Sequence, residues 1–553
     1  MSSPVAERVR DVVVVGGGHN GLACGAYLAK AGLDVLVLER REVLGGAAVT
    51  EEPWPGYRVS SASYVVSLLP PRIVRELGLE RHGYRVSIVT PDYFVPFPDG
   101  SGLTLWGDTV RDAAEIANFS TDDADAYGEF ERYFDRVAHL LRDLLFVVPP
   151  NLSLADLPKW AAVGARMRSW TGRDVAEAVR LFTISAADFL DEWFRDDRVK
   201  GALATQAIIG AWCGPMSPGS AYVLMHHWIG EVAGHKGAWG WVHGGMGAVS
   251  QALASAARAA GAEIRAGAAV RRIDVRGGRA AGVELDDGSV IAARRVVSSA
   301  HPITTYRDLV GFQHLPDDVA RDIRRFRTRS GSVKINLALS ELPQATAWQG
   351  KAEPLHRGLL AVAPSVQYLE RAWDEAKYGH PSRNPYIEMV FPTAHEPDLA
   401  PDGSHIALAF TQYGPYHLAS GTWDTERDAY GKRVLETLEA YCPGITASVL
   451  HAEVLAPPDI EARFGLLGGN IFQGEMSPDQ LFSLRPIFGY GDYRSPVAGL
   501  YLCGSGTHPG GGVMGAPARN ASRVIMADVR RDRLRARLRP AGRGGRSAAT
   551  GHA

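Results

Sequence analysis

Cysteine is scarce in this chain. Its 553 residues include four, Cys24, Cys213, Cys442 and Cys503, all far apart in sequence. None stands in C-x-x-C or in a metal-ligand spacing, which speaks against a catalytic disulfide and a bound metal, and suits a reducing compartment. Cys24, inside the first predicted helix, reads as a small buried residue and not as a redox partner. Charge of one sign is also missing: 59 Lys and Arg stand against 61 Asp and Glu, for a net charge of −2. With no basic stripe interleaved with aromatics, nucleic acid is not an expected partner. Long hydrophobic runs are absent too. No segment reaches the roughly 18 apolar residues of a membrane span. The N-terminal MSSPVAERVR has no apolar core of a secretory signal. The expectation is a cytoplasmic protein, peripheral to a membrane at most.

What the chain has in quantity is glycine, 61 residues of it, placed with a pattern. Val12 to Val15 is an all-apolar, β-branched run, as in a strand buried on both faces of a parallel sheet. Gly16, Gly18 and Gly21 follow as G-x-G-x-x-G. The first glycine permits the tight turn, the second lets backbone approach a phosphate, and the third lets helix and strand pack closely. Asn20 to Lys30 reads as a helix that Gly32 ends, with its N–H groups turned toward the pyrophosphate. Asp34 to Leu38 is a second strand. It ends at Glu39, whose carboxylate is placed for a ribose hydroxyl and argues against a 2′-phosphate. Strand, loop, helix, strand and acid in order indicate a bound dinucleotide.

Two further segments point to FAD and not to NAD. Gly45-Gly46 lies six residues beyond Glu39 and offers a second close backbone approach. Near the other end, GLYLCGSGTHPGGGVMGAPARNASRVIMAD (499–528) reads as strand Leu500–Cys503, loop Gly504–Gly512 and a helix from about Gly515. Together these elements resemble the FAD-dependent amine oxidase and phytoene desaturase superfamily. There an E-[RK]-x(n)-G-G element and a closing L-Y-L-x-G segment flank the flavin. GTHPGGGVMGAPARNA is similar to the carotenoid-desaturase branch, and residues 214–253 to its pyridine nucleotide-disulfide oxidoreductase domain-containing protein 2 type. The resemblance implies an FAD site built from Gly16, Gly18, Gly21, Glu39, Arg40, Gly45, Gly46, Ala47, Val270, Gly504, Ser505, Val513 and Met514. Many relatives outside the branch carry Asp where this chain has Ser505, so a hydroxyl or backbone group replaces a carboxylate there.

The predicted fold class is α/β: a Rossmann-like FAD-binding domain of glutathione-reductase type with a discontinuous α+β substrate domain. The FAD domain is expected in 1–100, 230–310 and 485–530, and the substrate domain in 101–229 and 311–484. Residues 531–553 are expected to form a basic tail, disordered once the last helix, with room to continue a few turns, has ended. Gly244–Gly247 opens a helix, but no all-apolar strand precedes it, so a second nucleotide domain is not expected. A meander follows in Ala269–Val275, Ala280–Leu285 and Val290–Ser298, divided by glycine and Asp-Gly turns. Residues 105–212 carry a helical pattern, with Tyr127, Phe130, Phe134 and Leu141 on one stripe. VKINLALS, from Val333, alternates strictly as a strand. Catalytic residues are less defined. His226, His227, His243, Arg485 and His508 have some claim, and Trp239 and Trp241 could line a channel, although each alone reads as readily as a structural residue. The expected function is oxidation, by desaturation or oxygenation, of an apolar, isoprenoid-type substrate through hydride transfer to flavin, with oxygen or a quinone as electron acceptor. A flavin-holding interaction protein and an amine oxidase are the alternatives.

Overall fold

In the computed structural model, residues 8–538 are described, apart from Leu152, Ser169 and Lys351. Val12–Val15 is a strand with every residue buried, as its β-branched composition requires of a position covered on both faces. It pairs in parallel with Val35–Leu38 on one side and Val296–Ser298 on the other. The complete sheet has five parallel strands in the order Glu263–Arg265, Val35–Leu38, Val12–Val15, Val296–Ser298, Leu500–Leu502. Helices His19–Lys30, Gly247–Ala259 and Ala516–Leu538 pack together on one face. On the other lies the antiparallel meander Val270–Arg276, Arg279–Leu285, Val290–Ala292. This is the expected Rossmann-like unit, gathered from distant parts of the chain.

A second sheet has seven strands: Val449–Leu455, Ser332–Leu339, His405–Gln412, Tyr386–Val390, Leu360–Val362, Tyr93–Pro96 and Gly102–Leu105. Along Ser332–Leu339 the alternation sorts the faces. Val333, Ile335, Leu337 and Leu339 enter one apolar cluster with Tyr430 and Leu438 of helix Trp423–Glu439. Lys334 and Asn336 point the other way, toward the first domain. A helical cap, including Thr121–Leu144, Leu157–Arg166, Gly172–Leu181 and Ser220–Trp228, closes over that side. Tyr127, Phe130 and Phe134 are buried in it as helix core.

Three expectations need correction. The domain boundary drawn at residue 100 lies too late: Tyr93–Pro96 belongs to the seven-stranded sheet, where Phe94 pairs with Leu360. The run Val290–Ser298 is two strands. Val290–Ala292 ends the meander and Val296–Ser298 joins the parallel sheet, because β-rich composition cannot reveal a change of partner. The tail does not begin at 531: the last helix runs to Leu538, tied by Arg494 and Tyr501 to Asp528 and by Arg295 to Asp532. Residues 539–553 lie outside the described residues. Strand Gly240–Val242, before Gly244–Gly247, pairs antiparallel with Val86–Ile88 and not with the parallel sheet. That loop therefore lacks the setting of a nucleotide motif. Among the described residues no helix is long and apolar enough to cross a membrane, and no three His, Cys, Asp or Glu could hold a metal ion.

Candidate functional site

A cavity of about 720 Å³ runs from the carboxyl ends of the parallel strands to the inner face of the seven-stranded sheet. At the first end the walls are backbone. Gly16 has φ +95, and a Cβ on Gly21 would lie 1.9 Å from the Gly16 carbonyl oxygen, so helix and loop meet at a spacing that glycine alone allows. Gly18 differs, because a Cβ there would approach no protein atom closer than 3.9 Å and would stand in the cavity. Gly18 bridges Gly45, and the Gly45 N–H donates to the Gly17 carbonyl at 2.9 Å, joining the two glycine elements in one cradle. The buried Glu39 carboxylate accepts from the N–H groups of Gly17 at 2.7 Å and Arg41 at 3.0 Å. His19 lines the same end, and burial holds it neutral, lowered to about 4.

At the other end the walls are side chains. Val65, Leu68, Ile209, Trp239, Phe410 and Phe472 are apolar, and Lys334 lies among them. The Lys334 ammonium donates to Asn336 Oδ1 at 2.8 Å and lies 5.4 Å from the ring centre of Tyr64. Burial pushes it down to about 7, against a smaller opposing pull from Glu453. Tyr64, also on the cavity wall, donates to Glu388, a fully buried carboxylate that also accepts from Tyr93 and, at 3.0 Å, Tyr386. Burial raises Glu388 above the usual carboxylate range while the tyrosine hydroxyls oppose the rise. His227 Nδ1 lies 2.9 Å from the Gln206 carbonyl and 3.1 Å from that of Val223. Two acceptors there assign the proton to Nδ1 and leave Nε2 as an acceptor.

Of the residues expected from sequence, Gly16, Gly18, Glu39, Arg40, Gly45, Gly46, Ala47, Val270, Ser505 and Val513 line this one cavity, as do His227 and Trp239. Gly21, Gly504 and Met514 support it from behind: Gly504 packs on the Ser299 carbonyl and Met514 is buried. Val513 takes a left-handed backbone, φ +55, as does Gln473 on the same wall. Arg485 is elsewhere. Fully buried, it donates to the carbonyls of Phe472, Gly474, Glu475, Gln480 and Ser505 and clamps two loops together. His226 and His508 face a different cavity. His243 bonds Ser87 Oγ at 2.6 Å, and Trp241 donates to Glu396; neither lines a cavity wall here. Lys334, Tyr64, His19 and Asn20 were not singled out in the sequence. The signal for Lys334 was a lysine and an asparagine two apart in a buried alternating strand. Cys24 is not isolated in space, since its thiol interacts with that of Cys503 beneath the loops, both fully buried, with Cys503 raised well above the usual thiol range by burial.

Six polar atoms without a protein partner belong to residues on this wall: His19 Nε2, Asn20 Oδ1, Arg41 Nη1, Ser67 Oγ, His301 Nε2 and Ser332 Oγ. Unpaired buried polar atoms are costly, so their concentration here fits a polar ligand. Residues 21–411 match the family model described as flavin containing amine oxidoreductase. The chain belongs to that family. It is 40% identical over 544 residues to pyridine nucleotide-disulfide oxidoreductase domain-containing protein 2 of Rattus norvegicus, covering 94% of each chain. It is also 26% identical to one of the limonene dehydrogenase polypeptides of Castellaniella defragrans, covering 94% of this chain and 95% of that one. With a lycopene-forming phytoene desaturase of Paracoccus sp. the identity is 24%, covering 95% and 99%. It is an FAD-dependent oxidoreductase, as the family is. The cradle at Gly18 and the unpaired atoms around it suit such a cofactor.

Proposed function

We propose that this oxidoreductase takes a hydride from an apolar, isoprenoid-class substrate and desaturates or oxygenates it. The observation that carries this reading is the second end of the cavity, where Val65, Leu68, Ile209, Trp239, Phe410 and Phe472 form an apolar wall around Lys334. In this reading the loop Gly16–Gly21 and the N-terminus of helix His19–Lys30 take the pyrophosphate. Glu39 takes a ribose, Arg40 and Val270 flank the adenine end, and Gly45, Gly46, Ala47, Ser505 and Val513 flank the ring system. FAD, when bound, supplies the hydride acceptor.

The chain's own residues orient the substrate and handle the proton. Val65, Leu68, Ile209 and Phe410 exclude water and hold an apolar skeleton against the ring system. Lys334, lowered to about 7, exists partly as the free amine at neutral pH, so it can accept a proton as the hydride leaves. His227 Nε2 is a second acceptor on the same wall. The limonene dehydrogenase and phytoene desaturase relatives, by their names, act on terpenoid hydrocarbons, which agrees with an apolar wall. An ammonium substrate at this end would meet Lys334, whose remaining positive charge disfavours amine oxidation. Oxygen or a quinone is the onward electron acceptor in this reading.

Anaerobic mixing of the FAD-loaded protein with candidate reductants tests it. An acyclic isoprenoid hydrocarbon is expected to bleach the flavin band, and benzylamine to leave it unchanged. Bleaching by benzylamine alone would replace this reading with amine oxidation. A fully loaded protein that no candidate reduces would point to an interaction role.

A further inference from the structure

A second cavity, of about 310 Å³, lies between the helical cap and the loops that carry Phe482 and His508, walled by Leu141, Leu145, Trp160, Val163, Phe182 and Phe482 among others. It shares no lining residue with the flavin cavity. Protein interiors leave few voids larger than a water molecule. At roughly 30 Å³ for each non-hydrogen atom, this one has room for about ten.

Three polar side chains interrupt the apolar wall. His508 is committed, its Nε2 lying 3.0 Å from the Leu144 carbonyl. The other two each keep one polar atom without a partner, although His226 also has the Gly511 carbonyl as an acceptor. The Tyr222 hydroxyl makes no hydrogen bond to any described residue, although its ring stacks on Phe182 with centroids 4.5 Å apart. His226 is buried and its Nε2 has no well-formed partner. Burial, with His227 beside it, keeps that imidazole neutral, lowered to about 3, against a smaller opposing pull from the Gly511 carbonyl. Tyr222 and His226 are four residues apart on helix Ser220–Trp228, so they share a face, and their ring centroids lie 6.2 Å apart. The chamber thus offers apolar walls and one small polar spot, which is the complement of a ligand with the same pattern.

We propose that this chamber is a second binding site, taking a compact apolar molecule of about ten non-hydrogen atoms that carries one hydroxyl or carbonyl group, hydrogen-bonded by Tyr222 and His226. Adjacent residues of one helix serve the two cavities, His226 here and His227 at the flavin, with ring centroids 5.7 Å apart. Phe472, on the flavin cavity wall, contacts both rings, at 5.7 and 6.1 Å. Occupancy of the chamber therefore presses on the wall of the flavin cavity. The proposal does not rest on the identity of the oxidised substrate.

Calorimetric titration of the FAD-loaded protein with 1-naphthol and with naphthalene tests it, the flavin absorbance being followed in parallel. The hydroxyl-bearing probe is expected to bind about tenfold more tightly, the difference one to two net hydrogen bonds make. Val163→Trp should fill the chamber and abolish binding of both probes while FAD content stays unchanged. Tyr222→Phe and His226→Leu should each bring the two affinities within about threefold of each other by weakening 1-naphthol alone. Equal affinities in the unmodified protein, no binding at all, or binding that survives Val163→Trp would overturn the proposal, the last by placing the probe in the flavin cavity. Should Val163→Trp fail to fold, the selectivity of Tyr222→Phe decides alone.

Discussion

The two ends of the flavin cavity are built by different means. At the Gly18 end, much of the wall is backbone amides, absent Cβ atoms and the Glu39 carboxylate fixed by the N–H groups of Gly17 and Arg41, with His19 and Arg40 beside them. At the Lys334 end they are side chains from strands and helices that the sequence keeps far apart: Tyr64, His227, Lys334 and Phe410. A backbone site is specified by sterics and tolerates almost no change in shape. A side-chain site is specified by what burial does to charge, and it can be altered without moving the fold. Substitutions should therefore fail abruptly at the first end and shift properties gradually at the second.

The largest effect is expected at Gly18. Val in its place would project into the cradle, because the new Cβ meets nothing closer than the Gly45 carbonyl at 3.9 Å. Gly18→Val should fold, as judged by circular dichroism, yet purify with less than about a tenth of the flavin, since occluded volume cannot be relieved by rotation. Full flavin content in this variant would show that the cofactor does not pass over Gly18.

Lys334 gives the contrasting case. Its folded-state value lies near 7, well below the ordinary 10.5, so between those pH values the unfolded chain binds more protons than the folded one. Stability must then rise with pH across that window, and the full cost of burying the charge is felt below about pH 7. Lys334→Met should stabilise the apoprotein to urea at pH 7 by a few kcal/mol, at about 1.4 kcal/mol for each unit of the shift. The gain should fade toward pH 10. The same variant should slow reduction of the bound flavin by substrate. A uniform gain at all pH values would mean that the lysine is not buried as a charge.

The same contrast decides what was legible in the sequence. Gly16, Gly18, Gly21, Glu39 and Gly45 could be read directly, because the turn, the close approach and the ribose acid act over a few residues with steric rules that other side chains break. Tyr64 and Lys334 are brought together by sheet pairing and loop packing, and nothing in the sequence around Lys334 states which face of its strand will meet the cavity. VKINLALS showed an alternating strand, but only the pairing of Ser332–Leu339 with His405–Gln412 reveals that its polar face lines a cavity. Arg485 illustrates the converse. The sequence leaves it open between a catalytic and a structural role, and its guanidinium is spent on five carbonyl oxygens. The strand Tyr93–Pro96 was misassigned for a related reason, since its parallel partner Leu360 is far along the chain.

Behind Tyr64 stands Glu388, and its replacement should have an intermediate effect. A carboxylate can accept from all three tyrosines, whereas the amide of Glu388→Gln turns one acceptor into a donor and leaves a hydroxyl unmatched. The expected loss is about 1–3 kcal/mol of stability, read from urea unfolding of the apoprotein. Because Tyr64 borders the cavity, the pH dependence of flavin reduction should move with it. A variant with unchanged stability would show that the hydroxyls find other acceptors.

The smallest effect is expected back at the glycine end, from Glu39→Gln. The new side chain keeps one acceptor for Gly17 or Arg41 but presents N–H groups to the other donor, so one charge-assisted bond is lost. FAD affinity should fall by about 1–2 kcal/mol, roughly tenfold, measured as fluorescence recovery on dilution. This is far less than the loss at Gly18, although both residues line the same end. The reason is that a hydrogen bond exchanged with water is worth little net, whereas a Cβ in an occupied volume has no solvent alternative. A loss from Glu39→Gln as severe as that from Gly18→Val would refute this ordering and assign the first end of the cavity to electrostatics instead of shape.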